Sequence, residues 1–521
     1  MNIAESQAQG RRVVPGNLGP VNSLPLTSDD VIDRLGTALT GAGFTGDGIG
    51  ELLGERASTA LAAGTWWPAL RATRQAPADQ QALAVLVRLF VLGGTETDHD
   101  VAAALPGITV DELVDQGVVT RTEDGVRALL DIRPHGADDH DYLVISDQDS
   151  LLHPGTVSHE HVLGVGAASL SLAHAVIRTP FRRALDIGTG CGIQSLHLST
   201  HCDEVVATDT NPRALALASA TARLNGLAWD LREGSLFAPV AGERFDLIVA
   251  NPPFVVGSGA QDYIYRDSGI EGDGVSRQLI EQMADHLEPG GIAQLLANWI
   301  VRDPERWDER IRGWVEGTGL DAWVVQRELA DPVSYVSLWT ADAGENLRAT
   351  ADRATAWLDW FEREKIAGIG MGLVTLRKPE TRSGEPDVVI EEILDAGQEV
   401  TGFEAQAYWA RRDYLAAMSD EELLAARLTT APVFLETQSL PGPDGWQQVA
   451  ALVTRPGGPG AVLPVDEVMT ALLAGSRGVL PLSVLVGLLA DVHDVDPDAL
   501  AEAALPVIRE AVGRGILYEA E

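Results

Sequence analysis

The sequence predicts a doubly wound α/β domain flanked by two smaller α+β units. Three observations carry this. From about Asp141 to Arg377, short β-branched runs alternate with amphipathic stretches, as in "RALDIGTGCG", "EVVATDTNPRALALASATARLNG" and "FDLIVANPPF". Before that segment the apolar spacing is helical, and after it the pattern is mixed. The length of 521 residues exceeds a single core and suggests about three domains.

Residues 1–28 are Gly- and Pro-rich and read as a flexible N-terminus. Residues 29–140 form the first unit. Helical spacing runs from Asp29 to about Trp67, and "DQQALAVLVRLFVLGG" reads as a buried helix closed by Gly93-Gly94. Short helices are expected around Asp98–Leu105 and Thr109–Gln116, then a hairpin turning at Asp124-Gly125. Helices followed by a hairpin suggest a winged helix, which serves either docking or packing beside an enzyme. Trp66-Trp67, Trp357 and Trp360 read as packing residues rather than platforms for bases.

Residues 141–377 are the α/β domain. Its later strand candidates are "LEPGGIAQLLAN", "DAWVVQREL" and "VSLWTA". Residues 378–521 open with Pro379 and Pro386, carry a hairpin in "FLETQSLPGPDGWQQVAALVT", and end in three helical stretches and a short strand. A second winged-helix-like unit fits that order.

Hydrophobic content of 45% and charged content of 22% are ordinary for a soluble protein, but the net charge of −38 is not. It opposes a nonspecific grip on phosphate backbones, which takes clustered Lys and Arg. Two cysteines without a Cys-x-x-Cys spacing argue against a disulfide framework or structural zinc. No signal-peptide core and no run of about 18 apolar residues is present, so a cytoplasmic protein without membrane contact is expected.

Two motifs carry chemistry. Asp186-Ile187-Gly188-Thr189-Gly190-Cys191-Gly192 follows a strand and precedes a helix; glycines there permit a tight turn and close approach of a ligand. Asp209 ends the next strand, where a carboxylate accepts from both hydroxyls of a ribose; "DTNP" equally suits a helix cap. The spacing is Gly-x-Gly-x-Gly rather than that of dinucleotide loops, and Asp186 would repel a pyrophosphate but suit a cationic, amino-bearing ligand. That chemistry fits S-adenosylmethionine. The second motif is Asn251-Pro252-Pro253-Phe254, at the carboxyl end of the fourth strand. The Asn251 side-chain oxygen and the Pro252 carbonyl are two rigidly held acceptors beside the face of Phe254, a clamp for a flat NH₂ group. Catalysis there is orientation and preorganised electrostatics, with no metal needed. Cys191 reads as a small packing residue. His153, His159 and His161 lack the cysteine or carboxylate partners of a metal site. Tyr263, Tyr265 and Arg266 either line a substrate entrance or form a surface loop.

Together these residues resemble the Rossmann-like class I S-adenosylmethionine-dependent N-methyltransferases of the Asn-Pro-Pro-Phe/Tyr "small domain" type, over about Leu151 to Ala341. Glu271-Gly272-Asp273-Gly274 looks like the segment after the catalytic motif of release-factor glutamine methyltransferases, although their upstream Pro-Arg-Pro-Glu-Thr segment is absent. "HPGTVSHEHVLGVGAAS" looks more like the ribosomal-RNA guanine-N2 methyltransferases. The resemblance implies that Asp186, Gly188, Gly190 and Gly192 hold the methionine part and Asp209 the ribose. Thr210, Asn211, Ser235 and Leu236 would flank the adenine, although the family often has Asp at the Ser235 position. Asn251 and Pro252 would hold the target nitrogen, with Phe254 stacked on it. The expected substrate is macromolecular, with a protein amide favoured over an RNA base amine because of the acidity. A small-molecule methyltransferase and a non-catalytic binding module are the further alternatives.

Overall fold

The computed structural model describes residues 24–148, 158–259, 269–341, 347–380, 385–393, 398–443 and 445–519. The central sheet has eight strands: β1 (Phe181–Ile187), β2 (Cys202–Asp209), β3 (Asp230–Glu233), β4 (Phe245–Ala250), β5 (Leu287–Val301), β6 (Asp321–Ala330), β7 (Gly368–Arg377) and β8 (Val388–Glu392). Their order across the sheet is β8-β6-β7-β5-β4-β1-β2-β3. Strands β5, β4, β1, β2 and β3 run parallel, while β7 is antiparallel to both neighbours. Buried on both faces, β4 and β5 are near-continuous apolar runs. The strand order reverses at β1 and β4, and both chemistry-bearing motifs leave the sheet at their carboxyl ends.

The helices that bear on the site are α1 (Ala167–Ala175), α2 (Ile193–Leu198), α3 (Pro212–Leu224), α4 (Gly274–His286), α5 (Glu309–Glu316), α6 (Pro332–Ala341) and α7 (Leu347–Arg363). The stretch "VSLWTA", expected as a strand, lies in α6. Pro332 opens that helix and the Asp331 carboxylate accepts from the Val333 and Ser334 N–H groups at 2.9 and 3.2 Å. A short apolar run does not by itself distinguish strand from helix; here the start signals decide. Helices α6 and α7 stand between β6 and β7 and bury Tyr335, Val336, Trp360 and Phe361 against Val255 and Val256.

On the N-terminal side, helices from Asp29–Gly41 onward pack around Leu35, Leu39, Phe44 and Phe90. The run expected as one buried helix is three pieces: a tight turn at Ala78–Gln80, an α-helix at Gln81–Leu86 and a π-helical turn at Val87–Val91. The expected hairpin is present, Val119–Thr122 with Gly125–Ala128, and Thr95–Glu96 adds a third strand. A second hairpin, Leu130–Ala137 with His140–Asp147, runs through residue 140 and lies on α3. There the Ile145 N–H donates to Thr221 (3.2 Å) and the Leu143 N–H to Asn225 (2.8 Å). This unit and the central domain therefore share one apolar core, which also takes in Cys191, Leu196 and Leu217. Trp66 and Trp67, expected in packing, are 45% and 63% exposed.

Beyond Arg377, β8 pairs with β6 at the sheet edge, and the helix Gly402–Ala417 covers that end. Tyr408 stacks on Trp323 at 4.3 Å and the Arg377 guanidinium lies 4.4 Å over Trp409. Further on come the hairpin Phe434–Gly442 with Gly445–Thr454, helices Glu467–Gly475, Leu482–His493 and Pro497–Gly513, and a last strand Leu517–Glu519 paired with Leu428–Thr430. No described helix is long and apolar enough to cross a membrane.

Candidate active site

The glycine turn leaves β1 with Gly188, Gly190 and Gly192 at φ values of 74°, 56° and 92°, where a side chain would strain the backbone. Asp186 lies beneath the turn and is completely buried. Its Oδ2 accepts from the Thr189 hydroxyl (2.7 Å), the Ser195 hydroxyl (2.7 Å) and the Ser195 N–H (3.1 Å), which stitches the turn to the first turn of α2. Oδ1 has no protein partner, and burial pushes the carboxyl up to about 6. Asp186 and Gly192 lie behind the cavity wall rather than on it. The role of Gly192 is packing: a Cβ there would meet the Trp229 ring at 2.6 Å. Gly188 and Gly190 do line the cavity, and at Gly190 a Cβ would meet no protein atom within 4 Å.

Asp209 ends β2 on that wall. Its Oδ2 accepts from the Gly190 N–H (2.9 Å) and its Oδ1 from the Asn211 N–H (2.8 Å). Each oxygen keeps a lone pair for a further donor such as a sugar hydroxyl. Burial raises its pKa. The cap of α3 is Asn211, which accepts from the Arg213 N–H (3.0 Å) and donates to the Glu160 carbonyl (2.9 Å). Asp209 is thus free of the capping duty that "DTNP" allowed. Thr210, Ser235 and Leu236 line the same end of the cavity, Leu236 with a φ of 49°. Gly190 with open space before it and the Asp209 carboxylate on the same wall are groups that fit S-adenosylmethionine. Asp209→Ala should weaken S-adenosylhomocysteine binding by about 10- to 100-fold in calorimetry, the cost of hydrogen bonds to a charged acceptor; unchanged binding would remove Asp209 from the ribose site.

Asn251 ends β4. Its Nδ2 donates to the Ser169 hydroxyl of α1 (3.1 Å), which fixes the amide plane and leaves Oδ1 as the open acceptor. Pro252 is buried, and Asn251, Pro252, Pro253 and Phe254 all line the cavity. Phe254 meets Trp339 of α6 edge-on at 6.2 Å. The chain after the motif is pinned from the α6–α7 insertion: the Val256 N–H donates to the Tyr335 hydroxyl (2.9 Å) and Trp357 Nε1 donates to the Val256 carbonyl (3.0 Å). Asn298 Nδ2 on β5 also donates to Tyr335 (3.0 Å). One cavity of about 960 Å³ joins both motifs, with Leu338, Trp339, Arg327 and Glu328 at its other wall.

Several of these residues carry no sequence signal of their own. Ser169 lies 82 residues from Asn251. Tyr335 and Trp339 are four apart, as on one helix face, which is the pattern that could have found them. Cys191 is buried and its thiol is pushed up to about 12, so it stays protonated. His161 lies 3.7 Å from Asp147, and no metal-binding cluster occurs among the described residues. His153, Tyr263, Tyr265 and Arg266 lie outside the described residues. Asp273 of the Gly-x-Asp-Gly stretch faces inward: it is buried, pairs with Arg310 on α5 and accepts from the Ile300 N–H (2.8 Å).

Residues 151–312 match the methyltransferase small domain family. Residues 41–129 and 406–519 each match a domain of unknown function, DUF7059 and DUF7782. Among curated proteins, the ribosomal RNA small subunit methyltransferase C of Alcanivorax borkumensis is 30% identical over 30% of this chain and 44% of its own length. The release factor glutamine methyltransferase of Geobacter sulfurreducens is 35% identical over 22% of this chain and 46% of its own length. The ribosomal protein uL3 glutamine methyltransferase of Bradyrhizobium diazoefficiens is 31% identical, over 26% and 46%. The chain thus spans under half the length of these relatives. A solved Thermus thermophilus 16S rRNA N2 G1207 methyltransferase, in complex with AdoMet and guanosine, is 21% identical, covering 47% of this chain and 66% of its own with a TM-score of 0.26. The central domain thus matches the methyltransferase small domain family over residues 151–312, and the curated proteins it is similar to are methyltransferases.

Proposed function

We propose that this chain transfers a methyl group from S-adenosylmethionine to a planar NH₂ nitrogen, and that the nitrogen is a side-chain amide of a protein. The observation that carries the reading is the Asn251 amide, locked by Ser169 so that Oδ1 and the Pro252 carbonyl form a fixed pair of acceptors in the same cavity as Asp209. When bound, S-adenosylmethionine supplies a methyl group activated by its sulfonium. The protein's part is to raise the nucleophilicity of a poor nucleophile. An amide or base-amine nitrogen has its lone pair delocalised into the adjacent π system. Two acceptors on its hydrogens return electron density to nitrogen and fix its direction of approach. Phe254, braced by Trp339, offers a flat apolar face that excludes water. The proton lost after transfer passes to solvent, because the Asn251 and Pro252 oxygens orient the nitrogen through hydrogen bonds but are too weakly basic to take it.

A protein substrate fits the charge. Several described arginines are engaged by acids rather than free for phosphate: Arg213 with Asp147, Arg183 with Glu243, Arg223 with Asp33, Arg412 with Asp387 and Arg509 with Asp420. The named relatives include both release-factor and ribosomal-protein glutamine methyltransferases. An RNA base amine is the second reading, favoured by the match to ribosomal RNA methyltransferase C. Labelling a lysate from cells lacking the protein with tritiated-methyl S-adenosylmethionine decides between them. Label removed by protease and resistant to RNase is expected; label removed by RNase overturns the amide reading.

A further inference from the structure

Arg327 stands where the β6–β7 register slips between Gln326 and Glu328, so it is the extra residue of a bulge. Bulges re-aim a side chain, and this one places an exposed guanidinium on the cavity wall. Arg327 makes no ion pair among the described residues. Other arginines of the same domain do: Arg310 with Asp273, Arg178 with Asp138, Arg232 with Asp230 and Glu243. Instead, Arg327 Nη1 donates to the Ser171 hydroxyl of α1. Ser171 is two residues from Ser169, which holds Asn251. One helix therefore ties both the catalytic amide and this guanidinium, and fixes their separation.

We propose that Arg327 is a substrate-binding, specificity-determining residue that donates to main-chain carbonyl oxygens of the peptide segment carrying the target amide; this rests on the protein-amide reading above. One N–H of the fork is spent on Ser171, and four remain in a plane that suits two carbonyls. Phosphates are the poorer match. Among the described residues, Arg327 and His161 are the basic side chains that line the cavity, against Asp209 and Glu328, and Glu328 is the next residue along the strand. A nucleotide flanked by two phosphates calls for several cations, whereas a neutral carbonyl does not. Leu338 and Trp339 supply the apolar part of the same wall.

The test uses full-length protein, tritiated-methyl S-adenosylmethionine and increasing amounts of the lysate described above. Arg327→Ala should need at least about 10-fold more lysate for half-maximal label, with S-adenosylhomocysteine affinity within about twofold of the parent. Arg327→Lys should recover part of the loss, and Ser171→Ala should show a smaller loss of the same kind. Between about 50 and 200 mM NaCl the labelling should change little, since the acceptor is neutral. Equal labelling by Arg327→Ala overturns the inference and leaves the amide reading standing. A steep salt dependence that Arg327→Ala reduces assigns the guanidinium to phosphate and overturns it too. Label removed by RNase defeats the amide reading itself.

Discussion

Asn251→Ala should keep S-adenosylhomocysteine binding within about twofold and lose methyl transfer by about 10²- to 10³-fold, the size expected for removing one preorganised electrostatic partner of a reacting centre. The geometry separates the two effects. Asn251 touches Ser169 and the cavity, whereas Asp209 is fixed by Gly190 and Asn211 and not by Asn251. Calorimetry reads the first effect and single-turnover labelling the second. Asn251→Asp should be nearly as inactive: the carboxylate keeps an acceptor, but loses the N–H that Ser169 orients and adds a charge beside it. Loss of cofactor binding in Asn251→Ala would move Asn251 out of the substrate end.

Asp273→Ala should destabilise the central domain by about 3 kcal/mol, the low end for breaking a buried ion pair. Asp273 is 3% exposed and Arg310 33%, so water recovers part of the loss on the arginine side. The Ile300 N–H on β5 also loses its acceptor. Urea or thermal unfolding reads this as a lowered midpoint, and S-adenosylhomocysteine binding at low temperature should survive. An unchanged midpoint with lost transfer would make Asp273 a chemical group rather than a clamp between α4, α5 and β5.

Much of the cofactor end was legible because it is local. Strand, glycine turn and helix are consecutive in sequence, as are β2, Asp209 and α3. Their side-chain roles were less so. Asp186 and Gly192 read as ligand contacts because the motif marks the turn, but the motif does not say which members face the cavity; burial of Asp186 and the Trp229 ring behind Gly192 answer that. The substrate end is assembled from distant pieces: Ser169 and Ser171 from α1, Arg327 from a bulge, Tyr335 and Trp357 from an insertion. A bulge is a register slip between two strands and exists only once both are paired. Helix α6 was misread because its apolar run is short and two of its buried residues, Tyr335 and Val336, are adjacent. The exposed Trp66 and Trp67 show the opposite error, in which large size stood in for burial.

The strand order carries a consequence for how the chain is made. Strands β2 to β5 each pair with a strand already synthesised, so the half holding Asp209 and Asn251 can close once Val301 has left the ribosome. Strand β6 cannot join then: its two partners, β7 and β8, are both later in the chain, and β7 must slide between β6 and β5. During synthesis β6 waits with Trp323, Val324 and Val325 unpaired until Gly368–Arg377 arrives. The cofactor half is thus built before the wall that holds Arg327, and that waiting strand is where a stalled or truncated chain is most prone to aggregate.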